Sequence, residues 1–174
     1  MKNLIIVIED MKEDAIKIKD TLEEYLVKDQ LNNCQFEIEW LPGEKEVADD
    51  NGKVHFYYND SVIEAIAMRK KQAEEEGKKV GILLDILLTQ EETETAGNLV
   101  YPKVNLAKKI YFQYKDIIPI YIVTSINYFG AQCDAIMGAD LSKCYIAKAA
   151  LLDYKMQESI NKMLDYYINQ PSSE

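Results

Sequence analysis

Four apolar runs in this chain each end in a polar side chain, and those side chains are the ones whose types and order suggest chemistry. Leu4-Ile5-Ile6-Val7-Ile8 runs directly into Glu9 and Asp10, and Val80 to Leu84 into Asp85. Ile117 to Val123 ends in Thr124, and Cys144-Tyr145-Ile146-Ala147 ends in Lys148. Two carboxylates about 4 Å apart repel by roughly 4 kcal/mol at an effective dielectric of about 20. A divalent cation removes that repulsion. Mg²⁺ takes oxygen ligands in an octahedron and is commonly held by one or two carboxylates with waters and phosphate oxygens. Glu9, Asp10 and Asp85 supply such oxygens, and a backbone carbonyl just beyond Asp85, such as that of Leu87, would complete the protein's share. Phosphoryl transfer asks for an in-line nucleophile and for positive charge around the three equatorial oxygens. Asp85 is the expected nucleophile, Lys148 the expected ammonium and Thr124 a hydroxyl donor.

The elements that must deliver these residues follow from hydrophobic periodicity. The run at 4–8 is continuous rather than alternating, as in a parallel strand covered on both faces. Ala15, Ile18, Leu22 and Tyr25 or Leu26 recur at helical spacing, which predicts an amphipathic helix over 12–28. Residues 35–41 alternate polar and apolar, the pattern of an edge strand with one exposed face, closed by Pro42-Gly43. Trp40 is expected there, too distant from the acids to report on them. Residues 42–59 are acidic and turn-rich around Val54-His55-Phe56-Tyr57-Tyr58, which predicts a hairpin or extended excursion, read as a surface insertion with a partner surface as its alternative. Ser61 with Glu64 forms the pattern of a capping box opening a helix that Gly77 ends. Val80 to Leu84 is the second buried strand. The polar stretch at 89–98 precedes a helix over about 103–114. A strand over 117–123 with Pro119 at its start, a short helix over 131–137, a strand at 144–147 and a closing helix through Leu152, Met156, Ile160, Met163 and Tyr167 complete the order.

Strands and helices that alternate in this way predict an α/β fold: a doubly wound, five-stranded parallel sheet of the flavodoxin-like kind with helices on both faces. Such sheets bind ligands beyond the carboxyl ends of their strands, where Glu9, Asp10, Asp85, Thr124 and Lys148 all fall. A single domain over 1–170 is expected, with insertions at about 42–59 and 89–98.

Composition narrows the partners. Thirty acidic against 20 basic residues give a formal charge of -10, which disfavours nucleic acid and anionic membranes. The opening apolar run is too short for a signal or membrane segment. Cys34, Cys133 and Cys144 lack the paired spacing of zinc sites and read as reduced thiols of a cytoplasmic protein.

Taken together, these residues resemble the receiver domains of two-component response regulators over nearly the whole chain. Glu9-Asp10 resembles the family's metal-binding acidic pair, Asp85 its phosphoacceptor, Thr124-Ser125 its hydroxyl and small-residue position, and Lys148 its lysine. Tyr145, three residues before Lys148, sits where the family places an aromatic switch residue. The segment Ala135-Ile136-Met137-Gly138-Ala139-Asp140 is similar to the family's Gly-Ala-Asp lead into its last strand. The resemblance implies a Mg²⁺-dependent phosphoprotein of a two-component phosphorelay, a phosphoacceptor rather than an enzyme acting on other molecules. A histidine kinase, phosphotransfer protein or small phosphodonor would supply the phosphoryl group, Thr124 and Tyr145 would shift, and the face around Tyr145 would change partners. No output segment follows the closing helix in this sequence, so output through another protein is expected. The face of the fourth helix and last strand is a candidate for homodimerisation.

The sequence also departs from the family. Ala149 stands where members usually have proline after the lysine, and Ile86-Leu87-Leu88 leads into Thr89-Gln90-Glu91-Glu92-Thr93-Glu94 where they have a short proline-containing loop. Those added acids would repel anionic donors. Other acid-based sites fit less well. A Toprim site needs Asp-x-Asp where Asp85-Ile86-Leu87 stands, a dehalogenase-like site needs it where Asp10-Met11-Lys12 stands, and Met11 to Asp14 is not a glycine-rich nucleotide loop. The alternative to a phosphorylated receiver is a pseudo-receiver that only binds a protein.

Overall fold

The computed structural model describes residues 2–28, 36–88, 93–96, 99–102, 104–124, 130–152 and 157–169. In chain order these form β1 (Asn3–Ile8), α1 (Lys12–Lys28), β2 (Phe36–Trp40), β3 (Lys45–Ala48), β4 (Val54–Tyr57), α2 (Ser61–Glu75) and β5 (Lys79–Asp85). There follow β6 (Thr93–Ala96), β7 (Leu99–Pro102), α3 (Asn105–Tyr114), β8 (Ile120–Thr124), α4 (Gly130–Met137), β9 (Tyr145–Ala147), α5 (Lys148–Leu152) and α6 (Gln157–Asn169).

Five strands pair in parallel in the order β2-β1-β5-β8-β9. From β1 the chain winds out to β2, crosses back to β5 and continues to β8 and β9, so the direction of winding reverses between β1 and β5. This is the doubly wound, flavodoxin-like α/β arrangement, with its switch point at that reversal. On one side Tyr25 Oη of α1 donates to Asn161 Oδ1 of α6 at 2.7 Å. Elsewhere α3 is tied to α2 by Tyr114 Oη donating to the Ile63 carbonyl at 2.8 Å. Leu4 to Ile8 and Ile82 to Leu84 are fully buried, which is why these segments carry no alternation in the sequence. Gly81 admits α6 onto the sheet. A Cβ there would lie 2.5 Å from the Tyr167 ring, whose hydroxyl donates to the Ile82 carbonyl at 2.7 Å.

Several local expectations are corrected. Ser61 does not cap α2 with its side chain. The N-cap is Asp60, whose side chain makes no capping bond, and Asn59 Oδ1 instead accepts the Ser61 N–H at 2.8 Å. The turn thus supplies its own acceptor upstream, and Ser61 becomes the first helical residue. Gly77 ends the helix as expected, at φ 70°. Beyond β5, residues 93–96 and 99–102 form an antiparallel hairpin that the polar composition of this stretch did not suggest. The closing helix is described as α5 and α6, and Met156 lies outside the described residues. Lys148 opens α5 directly after β9, so Ala149 lies in a helix, with no cis peptide bond among the described residues.

The excursion at 42–59 is a hairpin, as expected, and its first strand, β3, is exposed throughout. Its strands pair antiparallel, while Phe56 and the following Tyr58 are buried in the core. The reason is composition: three aromatic residues in succession carry too much apolar surface to be left in water. Among the described residues no helix is long and apolar enough to cross a membrane.

Candidate metal and phosphoacceptor site

Strand register assembles the rim. Ile8 pairs with Leu84, which sets Glu9, the next residue, level with Asp85. Asp85 pairs with Val123, and the next residue, Thr124, pairs with Ala147, immediately before Lys148. Each of these candidate side chains stands at or within two residues of the carboxyl end of its strand, and parallel pairing puts all of them at one end of the sheet. Among the described residues, the buried polar or charged side chains are Glu9 (0% exposed), Asp10 (4%), Asp85 (1%), Thr124 (0%) and Lys148 (5%). All five are among the residues singled out from the sequence.

The acids are close. Glu9, Asp10 and Asp85 each present a carboxylate oxygen within 4.8 Å of the others. Lys148 lies among them, with Nζ 2.7 Å from Glu9 Oε2 and 3.0 Å from Asp85 Oδ2. Its third contact, 3.2 Å to Asp14 Oδ2, was not anticipated. Asp14 occupies the first turn of α1, where an acid also favours the helix dipole, and in the sequence it is indistinguishable from a solvated helix-start residue. Glu9 Oε1 accepts the Met11 N–H at 3.1 Å, and Asp85 Oδ1 accepts the Leu87 N–H at 3.1 Å. Leu87 thus contributes its amide, and Tyr145 is half-buried on the edge strand β9.

Burial and mutual repulsion govern the protonation of this cluster. Burial, followed by the charge of Asp85, pushes the Glu9 carboxyl up to about 10, and the Lys148 ammonium only partly opposes this. Asp10 is raised for the same two reasons, with His55 pulling the other way. For Lys148 burial acts to lower the value, but the charges of Asp85 and Glu9 outweigh it and hold the ammonium above its usual range.

The inserted hairpin closes on the same rim. His55 Nδ1 lies 3.2 Å from Asp10 Oδ2, and the Phe56 N–H donates to the Asp10 carbonyl at 2.6 Å. Tyr58 Oη donates to the Glu9 carbonyl at 3.2 Å. None of these three was placed at the site from the sequence. The available signal was that His55 is the sole histidine and sits inside the aromatic run. The Trp40 ring meets that of Phe56 edge-on at a centroid distance of 4.5 Å.

The residues present fit a divalent cation on the chemistry of their donor set. Three oxygen-bearing acids converge with one ammonium, leaving an excess of negative charge in a buried place when the acids are ionised. Ser125 and residues 89–92 and 97–98 lie outside the described residues, as does Cys34; the side chain of Cys133 is likewise not described. Cys144 is a buried free thiol pushed up to about 11 by burial, which suits the expected inert role.

No family model matches the chain, and no curated protein matches it. Among solved structures, it is similar to a chain described as a yeast Spc42 trimeric coiled coil, amino acids 181–211, fused to another structure. The identity is 15% and the TM-score 0.49, over 97% of this chain and 80% of that one. A similarity at that level carries no statement about function.

Proposed function

We propose that this chain is a stand-alone receiver of the two-component type, which accepts a phosphoryl group on Asp85 in a Mg²⁺-dependent reaction and signals through protein–protein contact. The observation that carries this reading is the convergence of Glu9, Asp10, Asp85, Thr124 and Lys148 as buried polar side chains at one rim of the sheet. Mg²⁺ held by Glu9, Asp10 and Asp85, with the Leu87 carbonyl, would supply positive charge to the phosphoryl oxygens.

The chain's own residues do the rest. The Leu87 N–H fixes one Asp85 oxygen and Lys148 the other, so the nucleophile is oriented before a donor arrives. The Lys148 ammonium would move its contact from the carboxylate to the new phosphoryl oxygens. The Thr124 hydroxyl, one residue beyond the pairing partner of Asp85, supplies a hydrogen bond. Tyr145, two pairing positions before Ala147 on the edge strand, then reports the change to a partner surface. A histidine kinase or phosphotransfer protein in the cytoplasm is the proposed donor, and the output partner is another protein or a second copy of this chain.

The test is to incubate the protein with MgCl₂ and acetyl phosphate and read intact mass, with Asp85→Asn as the control. A second reading, a pseudo-receiver that only binds protein, is favoured by one observation: Asp85 is 1% exposed and both its oxygens already have partners. The absence of any adduct at millimolar donor selects that reading.

A further inference from the structure

The hairpin β3–β4 lies between β2 and α2, and part of its second strand is held against residues 10 and 11. Met11 and His55 form an isolated antiparallel bridge, next to the Phe56 N–H bond to the Asp10 carbonyl. This backbone seam fixes where the His55 ring stands. Nδ1 lies 3.2 Å from Asp10 Oδ2, and Nε2 lies 3.4 Å from Asp49 Oδ2. Asp49 is itself held, because its Oδ1 accepts the N–H groups of Asn51 and Lys53 at 2.9 and 2.8 Å. The result is a chain of contacts, Asp49 to His55 to Asp10, running from the hairpin turn to the acid cluster. At the hairpin's base, a Cβ on Gly43 would lie 2.5 Å from the Tyr57 carbonyl oxygen, so only glycine lets the two segments close this tightly.

We propose that His55 is a positioning residue of the cation site: it holds Asp10 in line with Glu9 and Asp85, and through it the β3–β4 hairpin sets the site's cation affinity. The inference rests on the reading that these three acids hold a divalent cation. His55 stands outside the group whose ligand atoms lie mutually within 4.8 Å, so it acts through Asp10 rather than as a ligand. An aspartate facing two other buried acids is driven by repulsion to swing away from them. The His55 contact opposes that swing, as outer partners of ligating carboxylates do in metal sites. Asp49 on the far side fixes the ring. Because binding couplings are reciprocal, cation binding tightens the hairpin, and whatever engages the turn at 49–53 alters cation affinity.

The experiment uses the full chain. Calorimetric titration with MgCl₂ and MnCl₂ is run on wild type, His55→Ala, His55→Asn and Asp49→Ala, together with hydrogen exchange of the hairpin amides with and without MnCl₂. His55→Ala is expected to weaken both cations by about 10–100-fold, the range for outer partners of metal ligands. His55→Asn, which keeps a donor, recovers part of the affinity and covers the case in which the alanine variant fails to fold. Asp49→Ala gives a smaller loss. The Phe56 amide gains protection with cation in wild type and not in His55→Ala. Wild-type affinity in His55→Ala, or hairpin exchange that ignores the cation, overturns the inference and leaves the cation site standing. A wild-type protein that binds neither cation overturns both.

Discussion

Lys148 Nζ and Asp85 Oδ2 lie 3.0 Å apart, although the two residues are 63 positions apart in the chain. The same ammonium contacts Glu9 and Asp14, so one lysine holds three acids together. Removing one partner of a buried charge set leaves the others uncompensated, at a cost of about 3–5 kcal/mol. Lys148→Met is therefore expected to lose about that much stability in urea denaturation without divalent cation, and saturating MgCl₂ recovers part of it. A loss below about 1 kcal/mol contradicts the charge account.

Burial and the charge of Asp85 raise the Glu9 carboxyl from its ordinary 4.5 to about 10, so cation binding is expected to displace a proton from it. Titrations at pH 7 in two buffers of different ionisation enthalpy are expected to show release of about one proton per cation, and Glu9→Gln to abolish it. The same shift fixes the sign of the stability change. The folded form binds this proton more tightly than the unfolded form, so the contribution is complete below about 4.5 and is lost as pH rises towards 10. Cation-free stability thus falls across neutral pH, by up to about 1.4 kcal/mol per unit for this group, and saturating Mg²⁺ flattens the decline. A cation-free stability that rises from pH 6 to 9 contradicts this.

Asp10 makes no direct contact with Lys148 among the contacts described, so its charge adds repulsion without a matching ion pair there. Asp10→Asn is expected to raise the cation-free melting temperature by a few degrees, the effect of about 1 kcal/mol in a chain of this size. The same change weakens Mg²⁺ binding by more than about tenfold. Thermal melts and calorimetry read the two effects separately. A lower melting temperature with unchanged affinity contradicts the assignment of Asp10 to the cation.

Much of the architecture was legible because it is written locally. The runs 4–8 and 80–84 are continuous since both faces are covered, and an acid after each is a one-residue signal. Alternation in 36–40 marked the edge strand, whose faces are not both covered. What stayed hidden depends on contacts between distant segments. His55 and Asp10 are 45 positions apart, and no periodicity links them. Asp14 satisfies the helix start and the lysine cage at once, and only the first role has a sequence pattern. The hairpin at 93–102 was masked by polar residues and by Pro102, which pairs with Thr93 at the outer end of a short ladder.

Trp40 offers a built-in probe. Its ring meets Phe56, whose amide binds the Asp10 carbonyl, so movement at Asp10 reaches the sole tryptophan through one residue. Stepwise addition of MgCl₂ is expected to change Trp40 emission in a saturable way that Asp10→Asn removes. Emission that is flat while calorimetry shows binding contradicts the mechanical link.

The central claim is that Asp85 accepts a phosphoryl group, and intact-mass spectrometry after incubation with acetyl phosphate and MgCl₂ tests it most directly. The expected result is one phosphoryl adduct that needs Mg²⁺, maps to Asp85 and is absent from Asp85→Asn. It is expected to form slowly, because Asp85 is buried and both of its oxygens are engaged. No adduct on a folded, cation-binding protein, or an adduct that persists in Asp85→Asn, contradicts the claim.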